Sequence, residues 1–177
     1  MKSELREKYL IIRKSIKDKT TKDELIFNSV INDEDYIRSN TIGIYYSLKS
    51  EVDTLKLIRY SLTHNKIVLL PRVEGSNMSF YPIDSLDNLC RSSFGIMEPV
   101  GETIFPKEGI DLLIVPGLVF DKNKNRIGFG RGYYDKYLFD YKGTTIGICY
   151  EEQMTEEIIP DEFDVKLKKI ITEKCVY

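Results

Sequence analysis

Between Arg126 and Asp135 the chain reads Arg126-Ile127-Gly128-Phe129-Gly130-Arg131-Gly132-Tyr133-Tyr134-Asp135, three glycines at alternate positions with two arginines around them. Glycine lets backbone N–H groups turn toward one point and lets an anion come close to the main chain. The residues that follow suit a helix, whose free N-terminal N–H groups and positive dipole end add to the same field. Arg126 and Arg131 bring full positive charges within reach of one anion. This pattern suits the holding of phosphate, although it is neither of the two common cradles. A P-loop closes on Gly-Lys-Ser/Thr, where this chain has Gly132-Tyr133-Tyr134, and a dinucleotide fingerprint follows its strand directly with a different glycine spacing. The alternative reading is a surface hairpin that uses its glycines for tight turns.

Other residues could extend this chemistry. Lys2 and Arg6 stand at i and i+4 and share a helix face; the alternative is a solvated basic face. Asp135 falls in the first turn of the helix after the glycines, where a carboxylate complements the dipole and also offers the hard oxygen that Mg²⁺ prefers. His64 is the only histidine, lies beyond a helix and reads as a surface or structural residue. No Ser-His-Asp arrangement is recognisable. Cys90, Cys149 and Cys175 are far apart with no CxxC pair, which indicates neither a zinc site nor a disulfide framework and predicts buried reduced thiols, as suits a reducing cytosol.

The elements that must position these residues alternate along the chain. Leu5, Tyr9, Ile12 and Ile16 recur at helical spacing over residues 2–17. Thr20 or Thr21 can cap a second helix with an apolar face of Leu25, Val30 and Ile37. Residues 41–46 read as a strand, 54–63 as a helix, 67–70 as a buried strand stopped by Pro71, and 78–83 as another strand. Residues 91–109, with Gly95, Pro99, Gly101 and Pro106, read as loop. Strands are expected at 111–115, 144–149 and 169–172, and a helix over about 133–139. Apolar strands separated by helices predict one α/β domain over residues 1–177, in three layers, with a mixed but mainly parallel sheet and helices on both faces. Ligands of such sheets usually sit at the carboxyl ends of the strands.

With 177 residues the chain can bury a full core without metal or disulfide staples. Its net charge of −2 lacks the basic excess of a protein that coats nucleic acid. The opening Met1-Lys2-Ser3-Glu4-Leu5-Arg6 is too charged for a signal peptide, and no apolar run reaches the length of a membrane span. A cytoplasmic location is the expectation.

The stretch Pro116-Gly117-Leu118-Val119-Phe120-Asp121, continued through Arg126 to Asp135, resembles the signature of 5-formyltetrahydrofolate cyclo-ligases (5,10-methenyltetrahydrofolate synthetases). The likeness extends outward in the family's order, through Lys2 and Arg6, Glu51-Val52-Asp53-Thr54, Leu70-Pro71-Arg72-Val73 and Gly95-Ile96-Met97-Glu98-Pro99. The resemblance implies a Rossmann-like fold and conversion of 5-formyltetrahydrofolate to 5,10-methenyltetrahydrofolate with ATP and Mg²⁺, without a protein-bound organic cofactor. It implies small-molecule partners only, with no nucleic acid or membrane, and a monomer or weak dimer. By resemblance, ATP is held by Lys2, Ser3, Glu4, Leu5 and Arg6 and by Arg126 through Tyr134, with Lys2, Arg126 and Arg131 as the catalytic cations. The folate is met by Glu51, Tyr46 and the run Phe129, Gly130, Arg131, Gly132 and Tyr133. Asp135 and Asp164 are the implied metal ligands, although Phe163 stands where many relatives have His. Pro116 and Gly117 would shape the pocket wall, and Glu98 and Pro99 read as structural.

Two other readings stay open. Sugar-phosphate isomerases and acyl-CoA transferases resemble this family in fold and would use the glycines for a sugar phosphate or CoA. A non-catalytic folate- or nucleotide-binding paralogue would keep the binding groups without turnover.

Overall fold

The computed structural model describes residues 2–93 and 95–177; Met1 and Phe94 lie outside the described residues. Helices α1 (Lys2–Ser15), α2 (Lys19–Ile31) and α3 (Glu34–Arg38) precede strand β1 (Thr41–Ile44). Helix α4 (Leu55–Thr63), β2 (Ile67–Glu74), β3 (Asn77–Ile83), β4 (Leu89–Arg91) and β5 (Met97–Pro99) follow. The second half holds β6 (Leu112–Val115), β7 (Val119–Asp121), β8 (Arg126–Ile127), α5 (Tyr133–Leu138), β9 (Thr144–Ile148), β10 (Met154–Thr155) and β11 (Lys169–Ile171).

The central sheet has the order β11-β9-β6-β1-β2-β3; only β3 runs antiparallel to its neighbour. The fold is α/β with a mainly parallel sheet. Alternation along each strand divides the core in two. Ile42, Ile44, Val68, Leu70, Leu112 and Ile114 face α2 and α4 with Ile26, Phe27, Val30 and Ile58. Leu69, Leu113, Val115 and Ile170 face the other way, onto Phe120, Tyr137 and Leu138. After β1 the chain winds outward to β2, and after β6 it winds the opposite way to β9 and β11. The reversal lies between β1 and β6, where open α/β sheets place their ligands. On β1 beside it Gly43 leaves no room for a side chain, because a Cβ would stand 2.4 Å from Leu113 and 2.8 Å from Phe80.

A small sheet of order β10-β7-β8 lies beside the main one and presents Arg126. Its hinge is Asp121, fully buried, which accepts hydrogen bonds from Asn125 N (2.9 Å), Asn125 Nδ2 (2.9 Å) and Ile158 N (2.8 Å). One carboxylate thus closes the β7–β8 turn and anchors the start of the segment that carries Asp161 and Asp164.

Several local expectations change. The apolar face of the second helix is Ile26, Phe27, Val30 and, from α3, Tyr36, whereas Leu25 and Ile37 are exposed. The helix breaks at Asn32, and the Asp33 carboxylate caps α3 at Asp35 N (3.0 Å). Asp18 in the left-handed region, rather than Thr20 or Thr21, precedes α2. Strand β2 runs through Pro71 because β1 pairs with it only as far as Leu69. Phe80, opposite Pro71, gives its carbonyl outward to Phe105 N, so no ladder bond is lost at the proline. Within 91–109, β4 and β5 form a hairpin held to β2 by Arg72, which donates to the carbonyls of Pro99 and Gly101. Cys149 is buried, but Cys90 and Cys175 are exposed, since one lies on the short hairpin and the other at the chain's edge.

Asp121→Ala should lower stability by roughly 2–4 kcal/mol in urea unfolding, because the Ile158 and Asn125 donors lose a buried charged acceptor. Asp35 gives a pH test. Its hydrogen bond from Lys169 (2.9 Å) holds its carboxyl below the usual carboxylate range. A folded-state pKa below the unfolded one means stability present above about pH 4 and lost as pH falls through the depressed value. Asp35→Asn should therefore cost about 0.5–1 kcal/mol at pH 7, this being a partly exposed pair, and nearly nothing well below pH 3.

Candidate active site

A cavity of about 920 Å³ opens at the carboxyl ends of β1 and β6, lined there by Tyr45, Tyr46 and Pro116. Of the residues singled out from sequence, Lys2, Arg6, Tyr46, Glu51, every residue from Arg126 to Asp135, and Asp164 line this one space. Ser3 and Glu4 are exposed, and Leu5 packs on the cluster of Tyr9, Leu118, Val119, Ile127 and Ile158. Helix α1 thus offers the cavity one face, not a continuous run of five residues.

One half of the cavity is charged. Arg126 is 5% exposed, and its Nη2 donates to Asp135 Oδ1 at 2.8 Å. Burial pulls the Arg126 pKa down against the opposing charge of Asp135, but a guanidinium keeps its proton under such shifts. Its Nε has no hydrogen-bond partner within the protein. Lys2 Nζ reaches Asp161 at 2.5 Å and Asp164. Burial alone would lower the Lys2 pKa, yet these two carboxylates raise it. For Asp164, burial would raise the pKa, and the hydrogen bonds from Lys2 and from Asp161 N outweigh it. Arg6 Nε donates to the Gly128 carbonyl at 3.0 Å and so braces the glycine segment from α1. Arg131 is exposed on the cavity wall.

The glycines have different duties. Gly130 (φ +94°) and Gly132 (φ +69°) sit in the left-handed region that side chains avoid. Gly128 is not left-handed; a Cβ there would stand 3.2 Å from Arg126 Nη1. Helix α5 is only six residues long, so the positive field of the cradle comes mainly from side chains.

The other half is apolar, with Leu48, Val73, Met78, Ile96, Met97 and Phe129 around a few polar groups. Glu51 is buried; its Oε2 accepts from Leu48 N at 2.7 Å and its Oε1 from Arg13 Nη1 at 3.4 Å. Burial pushes the Glu51 pKa up, opposed by that backbone bond and by the charges of Arg13 and Lys19. Glu98 also lines this half, and holds Val73 N at 3.4 Å. Between the halves stands Tyr134, with its ring 5.7 Å from the Arg126 guanidinium. Its hydroxyl is buried with no hydrogen-bond partner within the protein. Burial raises its pKa far above the ordinary phenol value, so it stays a neutral donor.

Sequence reasoning missed Arg13, Asp161 and Tyr45. Arg13 had a visible signal: Lys2, Arg6, Tyr9 and Arg13 are spaced four, three and four apart, one stripe of a helix. Asp161 had none, since its role depends on how an irregular segment folds back on Lys2. His64 is exposed and stacked on Tyr60 (3.7 Å), as expected of a surface residue.

A buried hydroxyl without a partner costs stability. Tyr134→Phe should therefore be neutral or stabilising by up to about 1 kcal/mol in urea unfolding.

Known proteins can now be set beside this geometry. Residues 1–173 match the model of the 5-formyltetrahydrofolate cyclo-ligase family. The mouse 5-formyltetrahydrofolate cyclo-ligase is 29% identical over 188 aligned positions, which span 98% of this chain and 92% of that protein. The solution structure of the Aquifex aeolicus 5,10-methenyltetrahydrofolate synthetase superposes with a TM-score of 0.88 at 35% identity, covering 99% of this chain and 91% of that one. The Mycoplasma pneumoniae 5,10-methenyltetrahydrofolate synthetase gives a TM-score of 0.79 at 26% identity, covering 97% and 98%. The match runs almost from end to end, and the chain belongs to the 5-formyltetrahydrofolate cyclo-ligase family.

Proposed function

We propose that this protein closes 5-formyltetrahydrofolate to 5,10-methenyltetrahydrofolate, consuming ATP, with residues 1–177 acting as one catalytic unit. The observation that carries the reading is a single cavity with a cationic, glycine-walled half and an apolar half holding one buried carboxylate, joined at Tyr134. Its two halves suit two different ligands placed end to end.

In the cationic half, Lys2, Arg6, Arg126 and Arg131 surround a triphosphate, with backbone N–H groups of residues 128–132 beside them. The orphaned Nε of Arg126 supplies a donor for an oxygen that the protein itself does not provide. Asp135 and Asp164 are the residues that would hold Mg²⁺. The donor set fits that ion. Among the described residues no group of three or more His, Cys, Asp or Glu is placed to enclose a metal. Mg²⁺ commonly takes one or two carboxylates and completes its shell with phosphate oxygens and water. When bound it would neutralise charge on the phosphates.

In the apolar half, Glu51 accepts hydrogen bonds from the N–H groups of the pterin, and Tyr46 and Phe129 pack on its faces. This fixes the formyl oxygen toward the γ-phosphorus, and positioning with charge neutralisation supplies most of the catalysis in such a transfer. The oxygen takes the phosphoryl group as ADP leaves. N10 then attacks the imidate-like carbon, the C–O bond breaks to release phosphate, and the N10 proton departs as the ring closes. The Tyr134 hydroxyl donates to oxygen that gains charge along this path, and Arg126 and Lys2 balance the charge that moves to ADP.

Among the described residues no helix is long and apolar enough to cross a membrane. We place the enzyme in the cytoplasm, acting as a monomer on small molecules.

Absorbance at the methenyl-folate band should rise when protein, 5-formyltetrahydrofolate and Mg²⁺ are mixed with ATP, with one ADP per methenyl group; no rise from folded protein, or a rise without ATP, would sink the reading. Arg126→Ala and Asp135→Ala should each lower kcat/KM at least 100-fold, and Tyr134→Phe should lower kcat by about 10- to 100-fold with little change in KM.

A further inference from the structure

Arg13 belongs to none of the roles described so far, and its surroundings are unusual for a helix arginine. It is 5% exposed, eleven residues along α1 from Lys2 and on the same face. One nitrogen, Nη1, meets Glu51 Oε1 at 3.4 Å. Its guanidinium carbon lies over the ring of Phe129, 5.0 Å from the ring centre, and Phe129 stands between Gly128 and Gly130. Its two partners come from separate stretches of the chain, Glu51 from the loop after β1 and Phe129 from the glycine segment. Glu51 sits on the loop after β1, held otherwise by Leu48 N. Phe129 is 49% exposed, in the glycine segment that Arg6 braces at the Gly128 carbonyl.

We propose that Arg13 is a positioning residue that locks Glu51 and Phe129 into one wall, setting the folate-facing carboxylate and the phosphate-facing glycine segment against each other before either ligand arrives. The physical reasons are separable. A buried carboxylate drifts toward its neutral, rotatable form unless a cation faces it, and Arg13 is the cation that meets this one. Lys19 acts on Glu51 from the start of α2, while Tyr45, Tyr134 and Tyr150 surround it with neutral phenols. The guanidinium also lies over an aromatic ring while making its ion pair, and lysine's compact ammonium lacks the plane that serves both contacts. The wall itself stands on geometry alone; its consequence for catalysis rests on the folate-and-ATP reading.

The test uses the full chain with Arg13→Gln and Arg13→Lys. In the free protein, NMR follows exchange of the Leu48 amide, which reports the Glu51 carboxylate, and the ring signals of Phe129. Equilibrium dialysis then gives Kd for 5-formyltetrahydrofolate and for ATP separately. Arg13→Gln should speed Leu48 exchange, shift the Phe129 signals and weaken both ligands by on the order of tenfold or more. Arg13→Lys keeps the charge and loses the plane, so Leu48 exchange and folate affinity should return to within a few-fold while Phe129 and ATP affinity stay altered. A folded Arg13→Gln that merely melts earlier, with unchanged Phe129 signals and unchanged affinities, would overturn the proposal. If Arg13→Gln does not fold, Arg13→Lys with wild-type Phe129 signals overturns it equally. Failure of the wild-type protein to bind folate would overturn the substrate reading alone, because the two NMR signals need no ligand.

Discussion

A guanidinium almost excluded from water must be answered by negative charge, and the arrangement around Arg126 follows from that demand. Its side chain enters the cavity from a two-residue strand in the small sheet and meets Asp135 at the start of α5. The eight residues between them are thereby pulled into a closed turn, and that turn is the glycine segment. Desolvation makes the unpartnered Nε costly to the free protein.

Helix α1 is the second organising element. Along one stripe, Lys2 meets Asp161 and Asp164, Arg6 holds Gly128, Tyr9 donates to the Met154 carbonyl at 3.2 Å, and Arg13 reaches Glu51. These partners come from both halves of the chain and belong to segments with little regular structure. A straight rod of polar side chains keeps irregular loops in register where a sheet cannot. Its apolar contacts, on the cluster with Leu118, Val119 and Ile127, seat the helix, while its polar stripe sets the cavity.

Much of this was readable beforehand. Helical and strand periodicities predicted the layers, because a parallel sheet buried on both faces writes itself as apolar runs between amphipathic helices. The alternating glycines, Arg126 and the spacing of Lys2 and Arg6 marked residues that the fold does bring to one cavity. The local errors share a cause, which is that neighbours decided against propensity. Pro71 continues a strand because its missing donor faces no partner, and Leu25 and Ile37 lie outside because Ile26 and Tyr36 point at the sheet.

The sequence by itself determined the fold class and most of the cavity's charged residues, since these depend on residue type and short-range spacing. Only the tertiary structure decided which of those residues meet. The pairing of Arg126 with Asp135, of Lys2 with residues about 160 positions away, and of Arg13 with Glu51 and Phe129 depends on where loops return in space. No periodicity records that return, because contacts between irregular segments are set by the packing of everything between them.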